Sequence, residues 1–308
     1  MENKKQEEKQ MTDVLIIGSG PAGMTAGIYI KRANLDVQII EKEYEGTGQM
    51  AESSRIDNYP GFYGISGYDL GEKIREHAEN LEIEFLEEEA VAFEETKKGF
   101  LVILESGKTL EAKTVIYTAG AEHRKLNVPG SDTFENKGIS YCASCDGTFY
   151  KEKDVVVIGG GNSALDDALL LSEICNKVYL VHRRDKFRGN PGTLAKLEAK
   201  ENVEIIRNAN VQEIKGTKKV ETVLLDTGAS LEVQGVFVAV GMIPQTEKLK
   251  DLVELDENGY VKAGEDGMTS KPGFFVAGDV RAKKLRQIIT AAADGANAAD
   301  SAIHYIIQ

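Results

Sequence analysis

The sequence predicts an α/β protein of two three-layer domains built on one plan, the second inserted into the first. Three observations predict it. A strand, glycine turn, helix and strand at residues 13–41 recur at residues 154–184. Each copy is followed by short alternating runs that read as β-strands, at 89–118 and 210–240. The C-terminal segment adds one strand and one helix but no third copy, so it completes the first domain. A length of 308 residues fits about two domains. The expected division is 11–121 and 252–308 for the first domain, 122–251 for the second, and 1–10 as a polar tail.

In the first copy DVLIIG reads as a short buried strand, Pro21 to Ala33 as a helix and VQII as the second strand. AVAFEE, GFLVILES and AKTVIYTAG follow as a meander. The second copy runs DVVVIGGG, a helix from about Asn162 to Glu173, then KVYLVHRR. GFFVAGDV and a helix from about Arg286 to Ile307 close the chain. The acidic run 82–95 reads as a solvated face.

Composition narrows the function. The net charge of −13 repels phosphate backbones, so nucleic acid is not an expected partner. No apolar run reaches the roughly 18 residues that span a bilayer. The first eleven residues lack the apolar stretch of a signal peptide, so a cytoplasmic protein without a membrane partner is expected. With three cysteines and four histidines, none of the latter near the cysteine pair in sequence, no metal is expected.

Gly18-Ser19-Gly20-Pro21-Ala22-Gly23 matches G-x-G-x-x-G between a strand and a helix. Such glycines let the backbone approach a pyrophosphate, and the helix N-terminus offers that anion free N–H groups. Glu41 ends the next strand 18 residues after Gly23, placed to accept a ribose hydroxyl. In the second copy Gly159-Gly160-Gly161-Asn162-Ser163-Ala164 matches G-x-G-x-x-A. His182 stands at the same offset of 18 residues, and Arg183, Arg184 and Arg188 follow it. A carboxylate repels a ribose 2′-phosphate and guanidinium groups pair with it. The second loop therefore reads as an NADPH site and the first as an FAD site.

Cys142-Ala143-Ser144-Cys145 is the chemical centre. Two intervening residues let the sulfurs close a small, reducible ring. Buried thiols or half a zinc site are the alternatives, disfavoured by its position between two dinucleotide motifs. Asp146 is either a proton donor to a departing thiolate or a turn residue before Gly147. Cys175, late in an apolar helix, reads as core.

GSGPAG, CASCDG, GGGNSALDDA, HRRDKFR, FVAGDV and RQIITAAADGANAA stand in an order that resembles the low-molecular-weight thioredoxin reductases, a class of FAD-dependent pyridine nucleotide–disulfide oxidoreductases. The resemblance covers nearly the whole chain after Met11. It implies two Rossmann-like FAD/NAD(P)-binding domains, a homodimer, noncovalent FAD, and thioredoxin or a thioredoxin-like protein as substrate. It adds Gln49, Asn58, Gly278, Asp279, Arg286 and Gln287 to the FAD contacts. It also implies that Cys145 faces the flavin and that Cys142 attacks the substrate disulfide. GTGQM and GMIPQT depart from the family's usual spelling without removing a catalytic group. A ferredoxin-fed flavin reductase and a flavin-dependent dithiol oxidase of the same shape leave the arginine cluster unexplained. A redox sensor that binds nucleotide without turnover is the rival from another class.

Overall fold

In the computed structural model the described residues are 11–43, 46–53 and 55–308; the expected polar tail, 1–10, lies outside them. Two compact units emerge. One runs up to Glu122 and resumes at Pro244–Gln308; the other is His123–Ile243.

The first unit begins with β1 (Thr12–Ile17), α1 (Pro21–Arg32), β2 (Val37–Glu41) and α2 (Gly67–Asn80). Pro21 starts α1 with its φ already helical and no N–H to satisfy. Asn34, with φ of 59°, turns the chain out of it. Strands β3 (Glu84–Glu87), β4 (Ala90–Thr96), β5 (Gly99–Leu104) and β6 (Thr109–Tyr117) follow. β1 pairs in parallel with β2 on one side and β6 on the other. Both faces of β1 are covered, and its alternate residues divide between two cores. Val14 and Ile16 lie with α1 and the C-terminal helix, while Leu15 and Ile17 lie with Phe100, Val102 and Phe274. That two-sided burial explains the unbroken apolar run.

β7 (Ala121–His123) carries the chain into the second unit. There β8 (Ile139–Ser140) leads to the short helix α3 (Ala143–Asp146). β9 (Asp154–Ile158), α4 (Asn162–Ser172), β10 (Lys177–His182), α5 (Pro191–Glu198) and β11 (Val203–Arg207) repeat the opening plan. An antiparallel ribbon, β12 (Val211–Gly216), β13 (Val220–Leu225) and β14 (Ser230–Glu232), precedes β15 (Gly235–Val238). The parallel sheet runs β11-β10-β9-β15-β8. Val155 and Val157 face α4, and Val156 and Ile158 face the ribbon, giving three layers.

β16 (Met242–Pro244) leads out, and β17 (Phe274–Val276) and α6 (Ile288–Ile307) finish the first unit. β17 pairs with β6, completing a seven-stranded sheet. The sequence reading kept residues up to 251 in the second domain. Leu249 and Val253, however, are buried in the first unit's core, so the chain has returned by Pro244.

Candidate functional site

The first glycine loop joins β1 to α1, and its three glycines meet three different surroundings. Gly18 has φ of +104°, and a Cβ there would lie 2.8 Å from the Thr118 carbonyl. A Cβ on Gly23 would lie 1.9 Å from the Gly18 carbonyl. A Cβ on Gly20 would meet nothing nearer than 3.9 Å. The outer two glycines thus close the turn onto the helix, and the middle one leaves its backbone bare for a ligand. Pro21 and Ala22 open α1 beside it. Glu41, at the end of β2, accepts from the Ser19 amide at 2.9 Å and the Ser19 hydroxyl at 2.8 Å. It therefore also fixes the loop it was expected to serve.

The second segment of the unit comes to the same place. A Cβ on Gly278 would lie 3.0 Å from the Ala22 Cβ, so the Gly278–Asp279 turn abuts the first loop. Asp279 Oδ1 is buried with no hydrogen-bond partner. Burial raises its pKa, partly opposed by Lys283 and Arg286. An orphaned acceptor beside a bare glycine loop is the surrounding that a polyhydroxyl-linked pyrophosphate fits. Arg286 donates to the Asp279 carbonyl at 3.3 Å and stacks over Tyr260 at 4.0 Å. Asn58 Nδ2 donates to Gln287 Oε1 at 2.9 Å, joining residues 229 apart in sequence. Gln49 is exposed at the start of a short 3-10 turn.

The second loop repeats the division of labour. A Cβ on Gly159, φ +154°, would lie 2.4 Å from the Ala239 carbonyl, and one on Gly161 would meet nothing within 4 Å. The His182 ring, 6% exposed, lies under this loop, where a Cβ on Gly160 would strike it at 2.2 Å. Burial lowers its pKa, which favours the neutral ring. Arg183, Arg184 and Arg188 are all exposed, and none makes an ion pair among the described residues. Asn162 and Ser163 begin α4, and Asn162 Oδ1 accepts from the Asn190 amide at 2.8 Å. The arginines are thus left exposed and unpaired at the end of β10 while the His182 ring packs beneath the loop.

Cys142 and Cys145 form a disulfide with Cα atoms 5.3 Å apart. The Cys145 amide donates to Cys142 Sγ at 3.2 Å. Ser140 Oγ donates to Asp146 Oδ2 at 2.6 Å and accepts from the Cys142 amide at 3.1 Å. Burial raises the Asp146 pKa while the serine pulls it back in part. The acid is thus tied to the redox turn and keeps its proton to a higher pH than an open carboxylate. Sequence reading missed Ser140, for nothing local marks a serine six residues before its acid. Cys175 is buried and its thiol is pushed up to about 11, chiefly by burial. No cluster of metal-ligating side chains is present among the described residues. None of the helices among those residues is long and apolar enough to cross a membrane.

The family described as pyridine nucleotide-disulphide oxidoreductase matches residues 12–295. A thioredoxin reductase of Listeria innocua is 41% identical over 97% of this chain and 95% of its own length. One from Bacillus subtilis is 40% identical over 97% of this chain and 96% of its own. The crystal structure of thioredoxin reductase from Streptococcus pyogenes superposes with a TM-score of 0.91 at 42% identity, covering 97% of this chain and 99% of that one.

Proposed function

Because the chain belongs to the thioredoxin reductases of the pyridine nucleotide-disulphide oxidoreductase family, we propose the following residues as the means by which it works as an NADPH-dependent, FAD-containing thioredoxin-disulfide reductase. The Gly18–Gly23 loop, Glu41, Gln49, Asn58, Gly278, Asp279, Arg286 and Gln287 would hold FAD. Gly159, Gly161, Asn162 and Ser163 would hold NADPH, with Arg183, Arg184 and Arg188 on its 2′-phosphate and His182 beneath the loop. When bound, NADPH supplies a hydride and FAD relays two electrons at a time.

The chain's own chemistry is thiol–disulfide exchange. Two electrons and two protons convert the Cys142–Cys145 disulfide to a dithiol. The Cys142 thiolate then attacks the substrate disulfide, forming a mixed disulfide and releasing one substrate sulfur as thiolate. The Cys145 thiolate attacks Cys142 Sγ, which reforms the intrachain bond and releases the second substrate sulfur. Asp146 holds a proton within the redox turn and gives it to a departing thiolate. Work in the cytoplasm belongs to the same proposal, since a reducible pair suits a reducing compartment, and so does the homodimer that the family resemblance implies.

The observation that carries the reading is the Cys142–Cys145 disulfide backed by the Ser140–Asp146 hydrogen bond. Cys142→Ser and Cys145→Ser test it. Each is expected to lose thioredoxin reduction while NADPH still bleaches the flavin. Loss of bleaching in a variant that retains FAD would refute the order of electron transfer.

A further inference from the structure

Behind the Gly278–Asp279 turn lies a group of buried charges that the disulfide chemistry does not use. Arg281 and Asp294 are each 6% exposed, and the Lys283 side chain is 7% exposed. Asp294 accepts from Arg281 Nε at 3.1 Å, Arg281 Nη2 at 2.8 Å, Lys283 Nζ at 3.0 Å and the Gly278 amide at 3.1 Å. Asp279 stands on the other side of the same lysine. Lys283 Nζ is 3.6 Å from Asp279 Oδ1, beyond hydrogen-bond range, and that oxygen has no other donor.

The ammonium is therefore held closely by Asp294, with the neutral Thr290 Oγ1 at 3.5 Å and Asp279 as its second, more distant carboxylate. Burial would raise Asp294, but Arg281 and Lys283 outweigh it and hold the acid below its usual range. A buried ammonium that loses its carboxylate is left uncompensated and drawn to any remaining carboxylate nearby. Here the next one is Asp279.

We propose that Asp294 is a positioning residue of the FAD site: by holding Lys283 and the Gly278 amide, it keeps Asp279 Oδ1 open as an acceptor for the cofactor. The proposal rests on the assignment of Gly278–Asp279 to FAD. Its consequence is that removing Asp294 harms FAD binding through Lys283, so that deleting the lysine as well repairs it.

The experiment measures how fast FAD leaves the full-chain holoprotein, read as recovery of FAD fluorescence on dilution, with circular dichroism following the fold. Asp294→Asn is expected to speed release by about tenfold or more, as Lys283 closes on Asp279. Adding Lys283→Met should bring release back to within about threefold of the unsubstituted protein. Unchanged release in Asp294→Asn overturns the proposal, as does a double variant no slower than the single one, which would leave Asp294 a purely structural role. If Asp294→Asn does not fold, Lys283→Met alone decides. Release within about threefold of normal supports the proposal, and release about tenfold faster overturns it by making the lysine itself a flavin contact. Asp279→Asn separates the two readings. Unchanged release there removes the FAD assignment, whereas faster release there without an effect of Asp294→Asn removes the positioning role alone.

Discussion

Substituting the glycines of the first loop separates folding from binding. Gly23→Ala would put a Cβ 1.9 Å from the Gly18 carbonyl and 2.7 Å from Thr118 Oγ1. Real Cβ contacts stay beyond 3.0 Å, so the helix and the turn must part by at least 1.1 Å (3.0 less 1.9). The obstacle is backbone, and Gly18 is itself held by its amide on Ile40 O at 2.8 Å. The cost lies at the upper end of overpacking, about 3 kcal/mol. Gly20→Ala meets nothing within 3.9 Å, and its φ of −65° and ψ of −179° suit alanine. Its folding stability should change by less than about 0.5 kcal/mol, or rise slightly as the unfolded chain loses freedom. If the loop seats the pyrophosphate as proposed, the new methyl takes up space that the ligand needs. The assay pairs thermal unfolding of FAD-stripped protein with the amount of FAD each variant retains. Gly23→Ala should melt early, and Gly20→Ala should melt normally yet release FAD. A Gly20→Ala protein that keeps FAD as tightly as the unsubstituted chain would refute the loop as the pyrophosphate seat.

Two further outcomes follow from the second unit. Replacing Arg183 and Arg184 by Ala should raise the NADPH KM by roughly tenfold or more, since each charge-assisted contact contributes about 1.5–3 kcal/mol, and should leave the NADH KM nearly unchanged. Equal effects on both nucleotides would contradict the phosphate contact. With its thiol at about 11, Cys175 is about one part in a thousand thiolate at pH 8, so alkylation of the reduced native protein should label two thiols and of the denatured protein three. A third label in the native protein would show that Cys175 is accessible.

The duplicated plan was legible because it is local. Glycines 18, 20 and 23 and their counterparts 159 and 161 show in their spacing what their surroundings show in space. The offset of 18 residues put Glu41 and His182 at the ends of corresponding strands. What each does there was less legible, because it depends on neighbours distant in sequence. Glu41 spends hydrogen bonds on Ser19, and His182 is buried under Gly160. Strand β6 was read as part of a meander. Its start pairs antiparallel with β5 while its end runs parallel to β1 and β17, a double role that an alternating pattern cannot encode. Helices α2 and α5 were not read, although Ser66 and Asn190, whose side chains cap them, are N-cap residue types. The buried charge cluster of Asp294 was missed as well. A lone acid in the alanine-rich run AAADGANAA needs a cation if it is buried, and Arg281 and Lys283 were close by in sequence.

Anaerobic titration of the FAD-loaded protein with NADPH, followed by oxidised thioredoxin, tests the central claim most directly. The electron count of one flavin and one Cys142–Cys145 disulfide predicts uptake of about two NADPH per chain, with bleaching of the flavin. Thioredoxin should then restore the flavin colour while its own disulfide is reduced. Uptake of a single equivalent, or a bleached flavin that thioredoxin leaves bleached, would contradict the path through the cysteine pair.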